Sequence, residues 1–161
     1  MKMPQLELQG INFMIKISHR GNINGRIVDR ENSPNYIDHA INNGFDVEID
    51  VRWKYGLYLG HDFPVHKTSI EWLYKRRNSL WIHVKDIKAM EQLVNSPFRC
   101  FFHEKERHTI ISNSKYIWTH DLSECLGISI IPLLSKDETI LYPNYLHAAG
   151  ICTDYPHMIG L

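Results

Sequence analysis

The sequence predicts an α/β fold, a reduced or partly open TIM-type (β/α) barrel. Three observations point to it. Short apolar runs with the length of buried strands recur along the chain with helical or loop connectors between them, as a parallel sheet requires. Polar side chains of catalytic type close several of those runs, which is where barrel sites gather. The chain has only 161 residues, whereas a complete barrel of this type usually takes ~250 and seldom fewer than ~200. Several outer helices are therefore expected to be missing, leaving a thin side for a second copy of the chain to cover in a homo-oligomer.

The first strand is the run MIKIS at 14–18, so residues 1–13 are expected to form a disordered extension and 14–161 a single domain. The run ends at HRGN, where Gly21 permits a turn closed to other residues. Residues 22–31, rich in Asn, Gly and Arg, read as a loop. Asn32 or Ser33 then serves as an N-cap, with Pro34 in the first helical turn. Tyr36, Ile37, Ala40 and Ile41 recur at helical spacing until NNG stops the helix at Gly44. FDVEIDVRW at 45–53 follows as a strand, completing a βαβ unit whose strands are parallel neighbours. KYGLYLGHD returns as a hairpin centred on Lys54 to Gly56. A helix over 69–77 places Ile70, Leu73 and Tyr74 on one face, and a second over 87–94 does so with Ile87, Met90 and Leu93. The strand LWIHVK at 80–85 lies between them. RCFFHE at 99–104, KYIWTH at 115–120, ISIIPLL at 128–134 and GICTD at 150–154 bring the barrel strands to seven. Positions 105–114 and 120–127 are too short for full helices.

Eighteen basic and eighteen acidic residues, 43% hydrophobic and 22% charged composition describe an ordinary globular chain with no basic footprint for a nucleic acid. The run KRR at 75–77 reads as a solvated helix end. Three cysteines without paired spacing indicate reduced, buried thiols. The first residues lack the apolar run and cleavage site of a signal peptide, and no stretch approaches ~20 apolar residues. A cytoplasmic protein with no transmembrane segment is the expectation.

Chemistry concentrates between positions 15 and 63. Glu48 and Asp50 alternate on one strand, so both carboxylates fall on one face, with Val47, Ile49 and Val51 on the other. Two carboxylates on a buried face need a positive charge between them, and a divalent cation is the simplest one. His19 and His61 each end an apolar run on either side of this pair. HRG, the following ENS, E-x-D and HD, in that order, resemble the signature of the glycerophosphodiester phosphodiesterase family. That family shares its PLC-like phosphodiesterase barrel with the phosphatidylinositol-specific phospholipases C and the spider-venom phospholipases D. WIHVK at 81–85 resembles the family's strand ending in acid-x-Lys, and GICTDYP at 150–156 resembles its last strand.

The resemblance implies a metal-dependent hydrolase of a small phosphodiester, acting in lipid metabolism, with His19 and His61 as acid and base and with Glu48 and Asp50 as metal ligands. His83 stands where the family has its third acidic ligand. An imidazole there shifts preference from Mg²⁺ or Ca²⁺ toward Mn²⁺ or Zn²⁺, and Glu104, beside His103, is a candidate for the missing carboxylate. Arg20 and Lys85 suit phosphate oxygens, Arg20 through a planar fork of donors and Lys85 as a point charge. Glu31 either contacts the site or tethers its loop. Trp118 is a rim wall or an ordinary core aromatic, and Asp154 is expected behind the reacting groups. His39, His66, His108, His120, His147 and His157 read as ordinary polar residues. Only about seventeen residues separate Asp62 from Leu80, too few for the insertion that covers the glycerol end of the family's substrates. Two other classes remain: a catalytically inactive barrel binding phosphorylated ligands, and an assembly subunit that pairs through strand edges.

Overall fold

The computed structural model describes residues 14–141 and 147–160. The expected extension at 1–13 lies outside them. The seven expected strands form the core of one curled sheet: β1 (Ile15–His19), β2 (Asp46–Trp53), β5 (Leu80–Val84), β6 (Cys100–Phe101), β8 (Ile117–Thr119), β9 (Ser129–Pro132) and β10 (Gly150–Thr153). Hydrogen-bonded neighbours run β6-β5-β2-β1-β10-β9-β8, all parallel. Three short antiparallel strands extend this path. β3 (Leu57–Leu59) folds back on the end of β2, β4 (His66–Lys67) pairs with β3, and β7 (His108–Ile110) pairs with β8. The result is a mixed α/β molecule around a partial barrel.

α1 (Pro34–Asn42) starts after Ser33 with Pro34 in its first turn and buries Ile37 and Ala40. α2 (Ile70–Arg76) begins where the Ser69 side chain accepts from Trp72 N, and α3 (Ile87–Leu93) where Asp86 accepts from Ala89 N. Leu73, Ala89 and Leu93 of these helices pack with Val47, Ile49 and Val51 on the outer face of β2 and β5. The inner face carries a second cluster, Ile17, Trp81, Phe101, Trp118, Ile130 and Cys152, one residue from each parallel strand but β2, together with Ile111 after β7. The interior is thus filled side chain against side chain, as in small barrels. Ile131, Leu133, Ala148, Ile151 and Ile159 form a third cluster.

No hydrogen-bonded ladder joins β6 to β8 among the described residues. Residues after β7 bridge part of the seam: Ser112 N donates to Cys100 O at 2.8 Å, and Cys100 N donates to Ser112 Oγ at 3.0 Å. Phe101 and Trp118 stack across it, ring centroids 4.4 Å apart. β6 is two residues long where the apolar run 99–104 suggested six, because Phe102 and the residues after it leave the sheet. The connector 105–114, too short for a full helix, holds β7. α4 (Lys136–Leu141), between β9 and β10, follows no apolar pattern in the sequence. The expected thin side lies here, with 3-10 turn Leu122–Glu124 in place of a helix and with Ile110, Leu126 and Ile128 exposed. No helix among the described residues is long and apolar enough to cross a membrane.

Candidate metal and acid-base site

The C-terminal ends of the parallel strands open on a cavity of about 430 Å³ whose lining includes His19, Arg20, Glu48, His61, His83, Lys85, His103, Glu104 and Trp118. Nine residues singled out in the sequence, spread over a hundred positions, meet there. β1 and β2 bring His19 beside Glu48 in register, and β2 and β5 bring Asp50 beside His83. The alternation on β2 holds: Glu48 and Asp50 face inward, both almost fully buried, while Val47, Ile49 and Val51 face the helices.

One oxygen each of Glu48 and Asp50 and one ring nitrogen of His83 lie within 4.8 Å of one another. His83 Nδ1 is 3.4 Å from Asp50 Oδ1 and 3.8 Å from Glu48 Oε1. Glu48 Oε2 and Asp50 Oδ1 are buried without a hydrogen-bond partner, a costly arrangement unless something else fills their lone pairs. Lys85 Nζ stands 4.0 Å from Asp50 Oδ1. Arg20 Nε is 2.9 Å from Asp50 Oδ2 but not aligned for a hydrogen bond, so the two interact as charges. Burial, and then the charge of Asp50, pushes the Glu48 carboxyl up to about 7. Burial opposes ionisation of Asp50 too, but the close His83 ring, the Arg20 charge and the Asn32 bond outweigh it and hold that carboxyl well below the usual range. Burial lowers His83 despite Asp50, which favours a neutral imidazole with a free lone pair. Two carboxylates with vacant oxygens and one neutral imidazole fit a divalent cation, and a cation would replace the proton that Glu48 otherwise holds near neutrality.

His19 is positioned from behind. Its Nδ1 is 2.8 Å from Asp154 Oδ1, and its Nε2 is 3.9 Å from Glu48 Oε2. Burial lowers the imidazole, but the Asp154 bond and the Glu48 charge reverse this and leave it raised. Asn22, buried in the loop after β1, donates to the same Asp154 oxygen at 2.8 Å and to Glu31 Oε1 at 3.1 Å. Arg20 and Arg26 also bond Glu31. The group His19, Glu31 and Asp154 is close enough to hold an ion, but both Glu31 oxygens and Asp154 Oδ1 already accept from these donors, so Glu31 tethers the loop. The turn at HRGN has Arg20 at φ +56° and Gly21 at φ +93°. A Cβ on Gly21 would lie 2.8 Å from the Tyr36 ring, so glycine is required twice over.

His61 reaches the cavity from the bend after β3. Gly60 has φ +145°, and a Cβ on it would sit 2.1 Å from Phe63 O, so only glycine makes this bend. Arg52 donates from Nε to His61 O at 2.8 Å, and His61 Nδ1 is 2.7 Å from Asp62 Oδ1. The His61 side chain keeps 39% exposure against 11% for His19. One histidine is thus enclosed and the other borders solvent.

Glu104 lies at the exposed rim outside the Glu48, Asp50 and His83 cluster, so it does not supply a third carboxylate there. Trp118 lines the cavity and is also a core ring. Sequence reasoning missed three residues. Asn32, read as one of two cap candidates, sends its side chain to β2 instead: Nδ2 donates to Asp50 Oδ2 and Oδ1 accepts from Asp50 N, both at 2.9 Å. Asn22 carried no local signal. His120, read as ordinary, lines the cavity, and its place at the end of the run KYIWTH is the signal that selected the other histidines.

No family model matches this chain, and neither curated proteins nor solved structures include a significant match.

Proposed function

We propose that this protein is a metal-dependent phosphodiesterase on a shortened PLC-like barrel, cleaving a small alcohol from a phosphodiester with His19 and His61 as the acid-base pair. The observation that carries this reading is the buried trio of Glu48, Asp50 and His83 with its unpartnered oxygens, beside a cavity that His19, His61, Arg20 and Lys85 also line. A divalent ion bound by the trio would supply Lewis-acid polarisation of a phosphoryl oxygen. Arg20 and Lys85 bind the phosphate and stabilise charge on its equatorial oxygens. One imidazole takes the proton of the attacking oxygen, and the other gives a proton to the leaving alkoxide. The attacking group is water or a neighbouring hydroxyl of the substrate, the latter giving a cyclic phosphate. The short connection after Asp62 leaves the site open, so the substrate class extends from glycerophosphodiesters to lipid head groups and phosphodiester-decorated glycans. Three free cysteines suit a reducing compartment, and the cytoplasm is the proposed location.

The test is turnover of glycerophosphodiesters and an aryl phosphodiester with Mg²⁺, Ca²⁺, Mn²⁺ or Zn²⁺. Metal-dependent product is expected, with His19→Ala and His61→Ala each slower by about 10²–10⁴-fold. Turnover unchanged by both substitutions contradicts the reading. His83 in place of an acid favours a second reading, an inactive barrel that binds phosphorylated ligands. Tight binding of an intact diester with no product selects it.

A further inference from the structure

We infer that His103 and His120 form a second metal site, on the wall of the same cavity, for a cation of the Zn²⁺ class. The inference goes beyond the phosphodiesterase reading and does not rest on it. The two Nε2 atoms are 3.4 Å apart. Two imidazole nitrogens bound to one tetrahedral ion at ~2.0–2.1 Å stand about 3.3–3.4 Å from each other. A hydrogen bond donated by nitrogen closes to about 2.9–3.0 Å. The observed spacing matches shared coordination better than mutual hydrogen bonding. Neither ring makes another side-chain hydrogen bond among the described residues.

Neighbouring rings hold the pair. His103 lies flat on His83, with centroids 4.3 Å apart and planes 13° from parallel, and His83 stacks in turn on Phe101. His120 meets His103 edge-on at 4.6 Å, and its backbone N donates to Arg107 O at 2.8 Å. The support is the β6 and β8 seam itself, since Phe101 stacks on Trp118. Such backing fixes both nitrogens before any ion arrives, which lowers the ordering cost of binding. Glu104 lines the cavity next to His103 but does not join the pair in a three-ligand group. The remaining positions face the cavity, so the ligand this ion would add is an oxyanion such as phosphate. Imidazole donors favour Zn²⁺, Ni²⁺ or Cu²⁺ over Mg²⁺ and Ca²⁺, so the pair and the acidic trio should differ in selectivity.

The experiment is metal content by mass spectrometry after equilibrium dialysis of the metal-free full chain against micromolar Zn²⁺, with circular dichroism as a check of folding. Two Zn²⁺ per chain are expected for the native protein, one for His103→Asn/His120→Asn, and one for Glu48→Gln/Asp50→Asn. His120→Asn alone, at an exposed residue, should lose the same equivalent. No ion in the native protein, or no loss in either histidine variant, overturns the inference. If the native protein and the carboxylate variant each hold one ion and the histidine variants hold none, the pair stands and the trio is ruled out as a Zn²⁺ site.

Discussion

Asp154 decides what His19 can do. It fixes the ring through Nδ1, leaves Nε2 directed at Glu48, and with Glu48 keeps the imidazolium favourable despite burial. Asn22 holds Asp154 in turn. Replacing Asp154 by Asn keeps the shape and removes the charge. An imidazolium that loses a nearby anion gives up its proton more readily, so the limb of the pH-rate profile carried by His19 should move to lower pH. The rate constant should fall by about 10–100-fold, the usual effect of losing a partner that orients an imidazole. A profile with unchanged limbs would show that Asp154 has only a packing role. Asn32 makes the same point from the other acid. With φ +61° and two bonds to Asp50, it holds a strained backbone conformation that serves a residue eighteen positions away.

The weakest join between elements is the one between β6 and β8, where ring stacking and the residues around Ser112 replace a backbone ladder. Phe101 is 1% exposed and touches both Trp118 and His83. Phe101→Ala should therefore cost about 3–5 kcal/mol by chemical denaturation, the range for a large buried ring. It should also loosen the wall that carries His103. A cost under about 1 kcal/mol would mean that the seam does not depend on the stack. The parallel strands were legible because each is an apolar run bounded by turn residues, and the first three helices because their apolar residues recur at helical spacing, with Ser33-Pro34 marking the start of the first. β7 was not, since two of its three residues are exposed and no apolar run marks it. α4 was not, since its six residues bury only Thr139.

At the scale of the molecule, the convergence of His19, Glu48, Asp50, His83 and Lys85 was legible because parallel strands deliver their C-terminal ends to one face, whereas His61 arrives from the bend after antiparallel β3. Asn22, Asn32 and His120 were harder to see. Contacts that cross from a loop to a distant strand leave no mark in local spacing, and a histidine at a strand end is unremarkable until its neighbours are known. The same topology explains why so short a chain can carry the site. Helices pack outside β2 and β5, which bear the trio, while the connection from β8 to β9 is reduced to a 3-10 turn with Leu126 and Ile128 exposed.

Anomalous scattering from a crystal grown with Mn²⁺ or Zn²⁺ tests the central claim most directly. The account predicts an ion within about 2.0–2.6 Å of Glu48, Asp50 and His83. A fully loaded crystal with no ion at that trio, and with both carboxylates paired only to Arg20 and Lys85, would contradict it.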